Sequence, residues 1–243
     1  LGELRSFKRA DKNKRRPTVD FVYDEPFELF SSHVYAKGSL ILTMLRDVIG
    51  EEGFWRSIRN YTNENKLKNV ETSDLKKIIE MTTGQNLDWF FKQWLYEPGF
   101  PNYDVSWNYN QRKKELSIHV KQTQDLKTTS LFKMPIKIIV DSGEKKEHVI
   151  WVDNLDSVYK IKSDKRPKMV IFNSGQRVPS NLKMQKSVAD LKYQLQNASN
   201  ALDRIWSAKE LSKKKGRKVV EYALMEAAKR DPFWAVRSEA YSA

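Results

Sequence analysis

Between residues 103 and 171 apolar and polar side chains alternate with a period of two, whereas the apolar residues before and after that stretch recur at helical spacing. A chain written in both periods cannot fold as one helical bundle or one all-β domain, so it reads as multidomain α+β. In the central stretch, ELSIHVKQT sets Leu116, Ile118 and Val120 against polar neighbours, and YDVSWNY, KMPIKIIVD, HVIWVD, VYKIK and KMVIF follow the same pattern. Six or seven short strands separated by polar turns such as DSGEKK predict an antiparallel β-sandwich rather than a parallel sheet with crossover helices. Pro135 is expected at an edge or at a strand start, since it cannot donate to a ladder. NSGQRVPS, residues 173–180, reads as an exit linker.

Residues 24–97 carry helical spacing in Ile41, Met44, Leu45 and Val48, then Phe54, Ile58 and Tyr61, then Leu75, Ile78 and Ile79. Gly50 should end the first helix. Glu51 and Glu52 open the second with the carboxylates that a helix N-terminus favours. Thr72 is expected to cap LKKIIEMTT, which Gly84 then stops. NLDWFFKQWLYEPGFP places Leu87, Phe90, Phe91 and Trp94 on one face before Pro98, Gly99 and Pro101 break it, a first domain boundary. From about Leu182 onward VADLKYQL, NALDRIWSAKEL, GRKVVEYALMEAAKR and DPFWAVRSEAYSA read as stacked helical hairpins, with the C-terminus expected to be a cut. The three expected domains are residues 1–98, 99–180 and 181–243.

Composition removes whole classes of chemistry. With no cysteine among 243 residues there is no disulfide, no thiolate catalysis and no cysteine-ligated zinc. No apolar run is long enough to span a membrane, and LGELRSFKRADKNKRRP is basic without the apolar core of a secretory signal, so no membrane association is expected and localisation stays open. Lys and Arg number 44 against 31 Asp and Glu, a formal net charge of +13. The two densest basic runs, 5–16 and 213–218, lack interleaved aromatics that could stack on bases, which speaks for a solvated surface and against nucleic-acid binding.

Candidate catalytic groups are few. His33, His119 and His148 are the only histidines, and none stands in an H-E-x-x-H or H-x-x-E-H spacing, so no complete zinc site is expected from these residues. His119 and His148 lie in strand patterns and read as surface histidines; His33 sits beside a helix start and reads as structural. No G-x-S-x-G elbow and no phosphate-binding glycine loop occur. Glu51 with Glu52, and Asp24 with Glu25, are explained by helix-start electrostatics. What remains is HVYAKGSLILTML, residues 33–45, where Tyr35 and Lys37 precede a glycine at the mouth of an apolar helix.

Around that stretch four motifs follow in order: Tyr35-x-Lys37-Gly38 with its apolar helix, the acidic-Gly-x-x-x-Phe/Trp turn, the Thr72-x-Asp74-Leu75 helix start, and Asp88-Trp89-Phe90-Phe91…Gln93-Trp94…Gly99…Pro101. Together they resemble the aminopeptidase N family of zinc metallopeptidases. The resemblance implies the helical end of a thermolysin-like catalytic domain, then a β-sandwich, then HEAT/armadillo-like helical repeats, with Asp231, Val236 and Arg237 matching a HEAT motif. It implies hydrolysis of N-terminal peptide bonds by a zinc-activated water. Tyr35 would donate its hydroxyl proton to the tetrahedral oxyanion, Gly38 would permit close packing, and Lys37 would have a local structural or electrostatic role. The zinc ligands and the amino-terminus-binding loop of that family have no match here, and with only residues 1–34 ahead of Tyr35 truncation is expected to account for this. Zinc is therefore expected in the full-length protein with ligands outside this sequence, and none in the fragment, which alone should be inactive. The expected partner of the full-length protein is a peptide substrate; oligomeric state is not indicated. The alternative reading is a non-catalytic scaffold relative mediating protein or nucleic-acid contacts; a third takes Trp206, Trp234 and the 213–218 loop as a surface for acidic peptides.

Overall fold

The structure is a computed structural model that describes residues 2–214 and 216–243. Lys215, within the basic 213–218 run, and Leu1 lie outside the described residues. The chain divides into two compact units, Leu1–Pro101 with Gln124–Lys133, and Asn102–Thr123 with Met134–Ala243.

The first unit is helical. Its opening helix α1, Gly2–Asn13, occupies a segment whose sequence shows mainly its basic residues. Leu4, Phe7 and Asp11 are buried at i, i+3 and i+7, so one face of α1 packs inward while its lysines and arginines point out. A 3₁₀ turn, Pro26–Leu29, precedes α2, Tyr35–Ile49, which buries Ala36, Lys37, Ile41, Met44, Leu45 and Ile49. Gly50 follows with φ of +81°, a conformation only glycine takes without strain, and α3, Glu51–Glu64, begins at the next residue. Helix α4, Thr72–Thr83, ends at Gly84 in the left-handed region. Its start differs from expectation by one residue. Glu71 is the cap position, its amide donating to Asp74 Oδ2 at 2.8 Å, and Thr72 is already the first helical residue.

Helix α5, Asp88–Phe91, widens into a π-helical turn, Lys92–Tyr96. The four apolar residues foreseen there, Leu87, Phe90, Phe91 and Trp94, are all buried. Trp94 stacks with ring centroids 4.9 Å from Phe132, and the Gln93 amide exchanges two hydrogen bonds with the Lys133 backbone. These contacts bind the 124–133 segment to the helices. At Gly99, φ +84°, an added Cβ would lie 2.8 Å from Thr129 Cγ2, so the turn after the π segment admits no side chain.

The second unit is mixed α+β. One sheet has the order β5-β2-β1-β7, from β1 Asn102–Asn110, β2 Glu115–Gln122, β5 Asp156–Lys162 and β7 Asn181–Met184. The other is β4-β3-β6, from β3 Met134–Asp141, β4 Lys145–Val152 and β6 Met169–Phe172. Alternation becomes burial: in β2 Leu116, Ile118 and Val120 are inside, in β3 Met134, Ile136, Ile138 and Val140. Pro135 stands second in β3, opposite Trp151 and outside the stretch of β3 that pairs with β6.

Two expectations are corrected. The strands are not all antiparallel, because β7 runs parallel to β1, Asn102 opposite Asn181 through Val105 opposite Met184. Nor does 173–180 simply lead out of the sheet as an exit linker. Asn173, with φ +54°, donates from Nδ2 to Val178 O and accepts the Val178 amide, folding the segment into a buried turn that returns the chain to the sheet. Four helices follow, α6 Val188–Asn197, α7 Ala201–Ser212, α8 Lys218–Arg230 and α9 Trp234–Ser242, around a core of Leu191, Leu195, Ile205, Leu211, Val220 and Val236.

Candidate functional site

The helix mouth is built by three residues that fix the chain before α2. Arg16, buried, donates from Nη2 to Glu28 O at 2.8 Å and to Ser31 Oγ at 2.5 Å. Ser31 in turn receives the His33 amide on its hydroxyl, at 3.2 Å, and the Tyr35 amide on its carbonyl, at 3.1 Å. Tyr35 is thus the first residue of a helix whose entry is clamped from outside the helix.

Its side chain points away from that clamp. The Tyr35 ring is 62% exposed, while the next two residues, Ala36 and Lys37, are 2% and 0% exposed and anchor the turn. Phe30 lies beside the ring, centroids 6.3 Å apart, and Phe27 lies 5.8 Å from Phe30, both exposed. Among the described residues the Tyr35 hydroxyl has no hydrogen-bond partner. A phenol in this position is free to donate to something that is not part of its own fold.

Beneath the mouth lies a buried polar cluster that sequence reading did not assemble. Lys37 Nζ donates to Glu97 O at 3.3 Å and stands 5.5 Å from the centre of the Phe7 ring. Burial lowers its pKa to about 8, against the pull of the Asp11 carboxylate. His33, also buried, meets Phe7 edge-on at 5.9 Å, and its Nε2 is 3.8 Å from Asp11 Oδ1, too long for a hydrogen bond. Both of those atoms lack a partner among the described residues. The other oxygen of Asp11 accepts from Arg15 Nε at 3.2 Å, and Arg15 Nη1 reaches Thr129 Oγ1 at 2.8 Å. The signal for Asp11 is present in the sequence, two turns of Leu4-x-x-Phe7-x-x-x-Asp11, but basic neighbours mask it.

Gly38 needs correction. A Cβ built there meets nothing within 4 Å, so close packing is not what the glycine permits; it borders open space. Of the other expected residues, His119 in β2 pairs with Asp156, and His148 in β4 faces a cavity described below. Trp206 is partly buried over Lys186, while Trp234 is exposed. Among the described residues no group of three or more His, Cys, Asp or Glu side chains could hold a metal ion. No described helix is long and apolar enough to cross a membrane.

The family model of the peptidase family M1 domain matches residues 6–94, from α1 to the π-helical turn. Over residues 6–94 the chain is similar to peptidase family M1. "Probable aminopeptidase 1" of Saccharolobus solfataricus is 36% identical over 74 residues, 30% of this chain and 9% of that protein. "Aminopeptidase N" of Lactococcus lactis is 35% identical over 79 residues, 32% of this chain and 9% of that protein. "Tricorn protease-interacting factor F2" of Thermoplasma volcanium is 27% identical over 154 residues, 60% of this chain and 19% of that protein. The chain thus spans about a tenth to a fifth of the length of these relatives. A crystal structure of Legionella pneumophila aminopeptidase A in complex with aspartic acid matches with a TM-score of 0.78 at 20% identity, over 98% of this chain and 29% of that one, which extends the likeness of fold beyond the M1 segment.

Proposed function

We propose that this chain is part of a zinc-dependent aminopeptidase that hydrolyses N-terminal peptide bonds, with Tyr35 as the donor to the oxyanion. The observation that carries this reading is the contrast within one helical turn. Tyr35 is exposed with its hydroxyl unused, while Arg16, Ser31, Ala36 and Lys37 hold its backbone in place. Such a donor is oriented before substrate arrives, so no reorganisation is needed when negative charge develops on the attacked carbonyl oxygen.

The residues described do not fit a zinc centre, so the metal would be held by polypeptide outside these 243 residues. Zinc bound there would supply an activated water. What this chain contributes is the hydroxyl, the aromatic wall of Phe27 and Phe30, and the helices behind them. Alone, the chain has no hydrolytic activity. The remainder follows the same likeness: the two sheets of the second unit form the β-sandwich, and α6–α9 are HEAT-like hairpins, a reading supported by the Asp231 and Arg237 contacts between α8 and α9.

The test is Tyr35→Phe in the full-length protein, assayed on aminoacyl-arylamides. Turnover falls by about 10²–10³-fold, the loss seen when one oxyanion donor is removed, with KM changed far less. Wild-type turnover in the variant removes the role assigned to Tyr35. Hydrolysis by the 243-residue chain supplied with zinc removes the claim of inactivity.

A further inference from the structure

The second unit holds a cavity of about 450 Å³ at the ends of its strands, and its lining is dominated by lysine. Lys113 and Lys114 come from the β1–β2 turn, Lys146 from β4, and Lys162 and Lys165 from the end of β5 and the turn after it. In sequence these residues are scattered, and none belongs to the 5–16 or 213–218 runs; only the fold gathers them.

Two carboxylates line the same cavity, and each is already engaged. Asp164 pairs with Lys114 at 3.3 Å and Glu144 with Lys146 at 3.4 Å. Lys113, Lys162 and Lys165 have no carboxylate partner among the described residues. Three unmatched ammonium groups around one concavity repel one another, and a multiply charged anion relieves that repulsion at all three.

The rim is tied rather than loose. Ser163 Oγ donates to Lys165 O at 2.7 Å, so Ser142 Oγ must be the donor in the 2.6 Å contact between the two serines. The Ser163 amide donates to Lys114 O at 2.9 Å, and Lys114 is held at φ +49°, an uncommon conformation for a lysine. Three turns are therefore cross-linked through Ser163, which fixes the relative positions of the lysine stems.

Among the described residues no Phe, Tyr or Trp lines the cavity and its one ring is the imidazole of His148, so a nucleobase would find no stacking platform of the usual large aromatics. The volume suits a small ligand. We propose that this cavity binds a condensed phosphate chain, three or more linked phosphates without a base, through Lys113, Lys162 and Lys165. All of these residues lie in the second unit, so the proposal stands or falls independently of Tyr35.

The experiment is calorimetric titration of the full 243-residue chain with sodium tripolyphosphate at low and at moderate salt, with orthophosphate and a double-stranded DNA oligonucleotide as parallel arms. Tripolyphosphate binds one to one, more weakly at higher salt, and at least tenfold more tightly than orthophosphate. The variant Lys113→Gln/Lys162→Gln/Lys165→Gln loses at least tenfold in affinity, whereas Lys12→Gln/Lys66→Gln/Lys77→Gln, which removes the same charge elsewhere, does not. Equal losses in the two variants, absence of tripolyphosphate binding, or a preference for DNA each overturn the proposal. A second readout needs no variant: tripolyphosphate should protect Lys113, Lys162 and Lys165 of the wild-type chain from acetylation, read by mass spectrometry, and unselective protection of all lysines counts against the site.

Discussion

A lysine without solvent contact survives only if its ammonium group is met, and Lys37 is met by a carbonyl, an aromatic face and a nearby carboxylate. Its four methylenes also fill the space between α1 and α2. These two contributions separate by substitution. Lys37→Met keeps the volume and drops the charge, and should remain within about 1 kcal/mol of wild type, since exchanging a buried charge for an apolar chain of similar size is often neutral or better. Lys37→Ala leaves a cavity and should lose about 2–4 kcal/mol, as large-to-small core changes do. Urea midpoints of the two variants decide it; equal losses would mean that the charge, not the packing, holds the helix mouth. Gly38 gives the opposite sign. With open space at its Cβ position inside a helix, Gly38→Ala should gain about 0.5–1 kcal/mol. Sequence could name Tyr35, Lys37 and Gly38 by pattern but not their depth, because exposure beside full burial one residue apart depends on where α1 packs.

At the level of elements, the Asp231 carboxylate joins three helices at once. It accepts from Arg204 Nε at 2.7 Å and Nη2 at 3.0 Å on α7, and caps α9 by receiving the Phe233 amide at 2.9 Å. Its carbonyl receives Arg237 Nη1 at 2.8 Å. Asp231→Ala would strand the buried Arg204 guanidinium and should cost about 3–5 kcal/mol. Arg237→Ala removes hydrogen bonds to carbonyls near the surface and should cost about 1 kcal/mol. Chemical denaturation of both variants tests the order; an equal cost would mean that the Arg204 pair contributes nothing beyond the cap. Elements bounded by glycine or by charged first turns were legible in the sequence, as at Gly50, Glu51 and Gly84, because the stop signal is local. The α1 helix was hidden by its charge, since only Leu4 and Phe7 mark its apolar side. Strand β7 was hidden too. NLKM has too few residues to show a period, and its parallel pairing is imposed by the buried 173–180 turn rather than by its own side chains.

At the scale of the whole molecule, each unit buries one lysine among its described residues whose charge the fold resists, and that makes stability rise with pH over a defined range. Lys186 donates to Val170 O at 2.5 Å and to the Gln194 side chain, and lies 5.3 Å from the centre of the Trp206 ring. Burial lowers its pKa to about 7, with Asp190 and Asp203 pulling the other way; Lys37 in the first unit is lowered to about 8. An unfolded chain keeps both lysines protonated up to the ordinary lysine value of 10.5. Above pH 7 the unfolded second unit therefore binds more protons than the folded one, and its stability increases with pH; the first unit follows from about pH 8. Tyr103 limits the gain. Burial holds its phenol far above the ordinary value of 10.0, so above that pH the unfolded chain loses a proton that the folded chain keeps, and stability falls again. Maximum stability of the second unit is thus expected near pH 10, a gain of about 3 kcal/mol over neutral pH. Urea midpoints measured from pH 6.5 to 10.5 should trace that rise and fall, and Lys186→Met should flatten the rise in the second unit while leaving the first unit's response to Lys37 in place. A wild-type midpoint that does not move between pH 7 and 9 would show that neither ammonium is strained by burial.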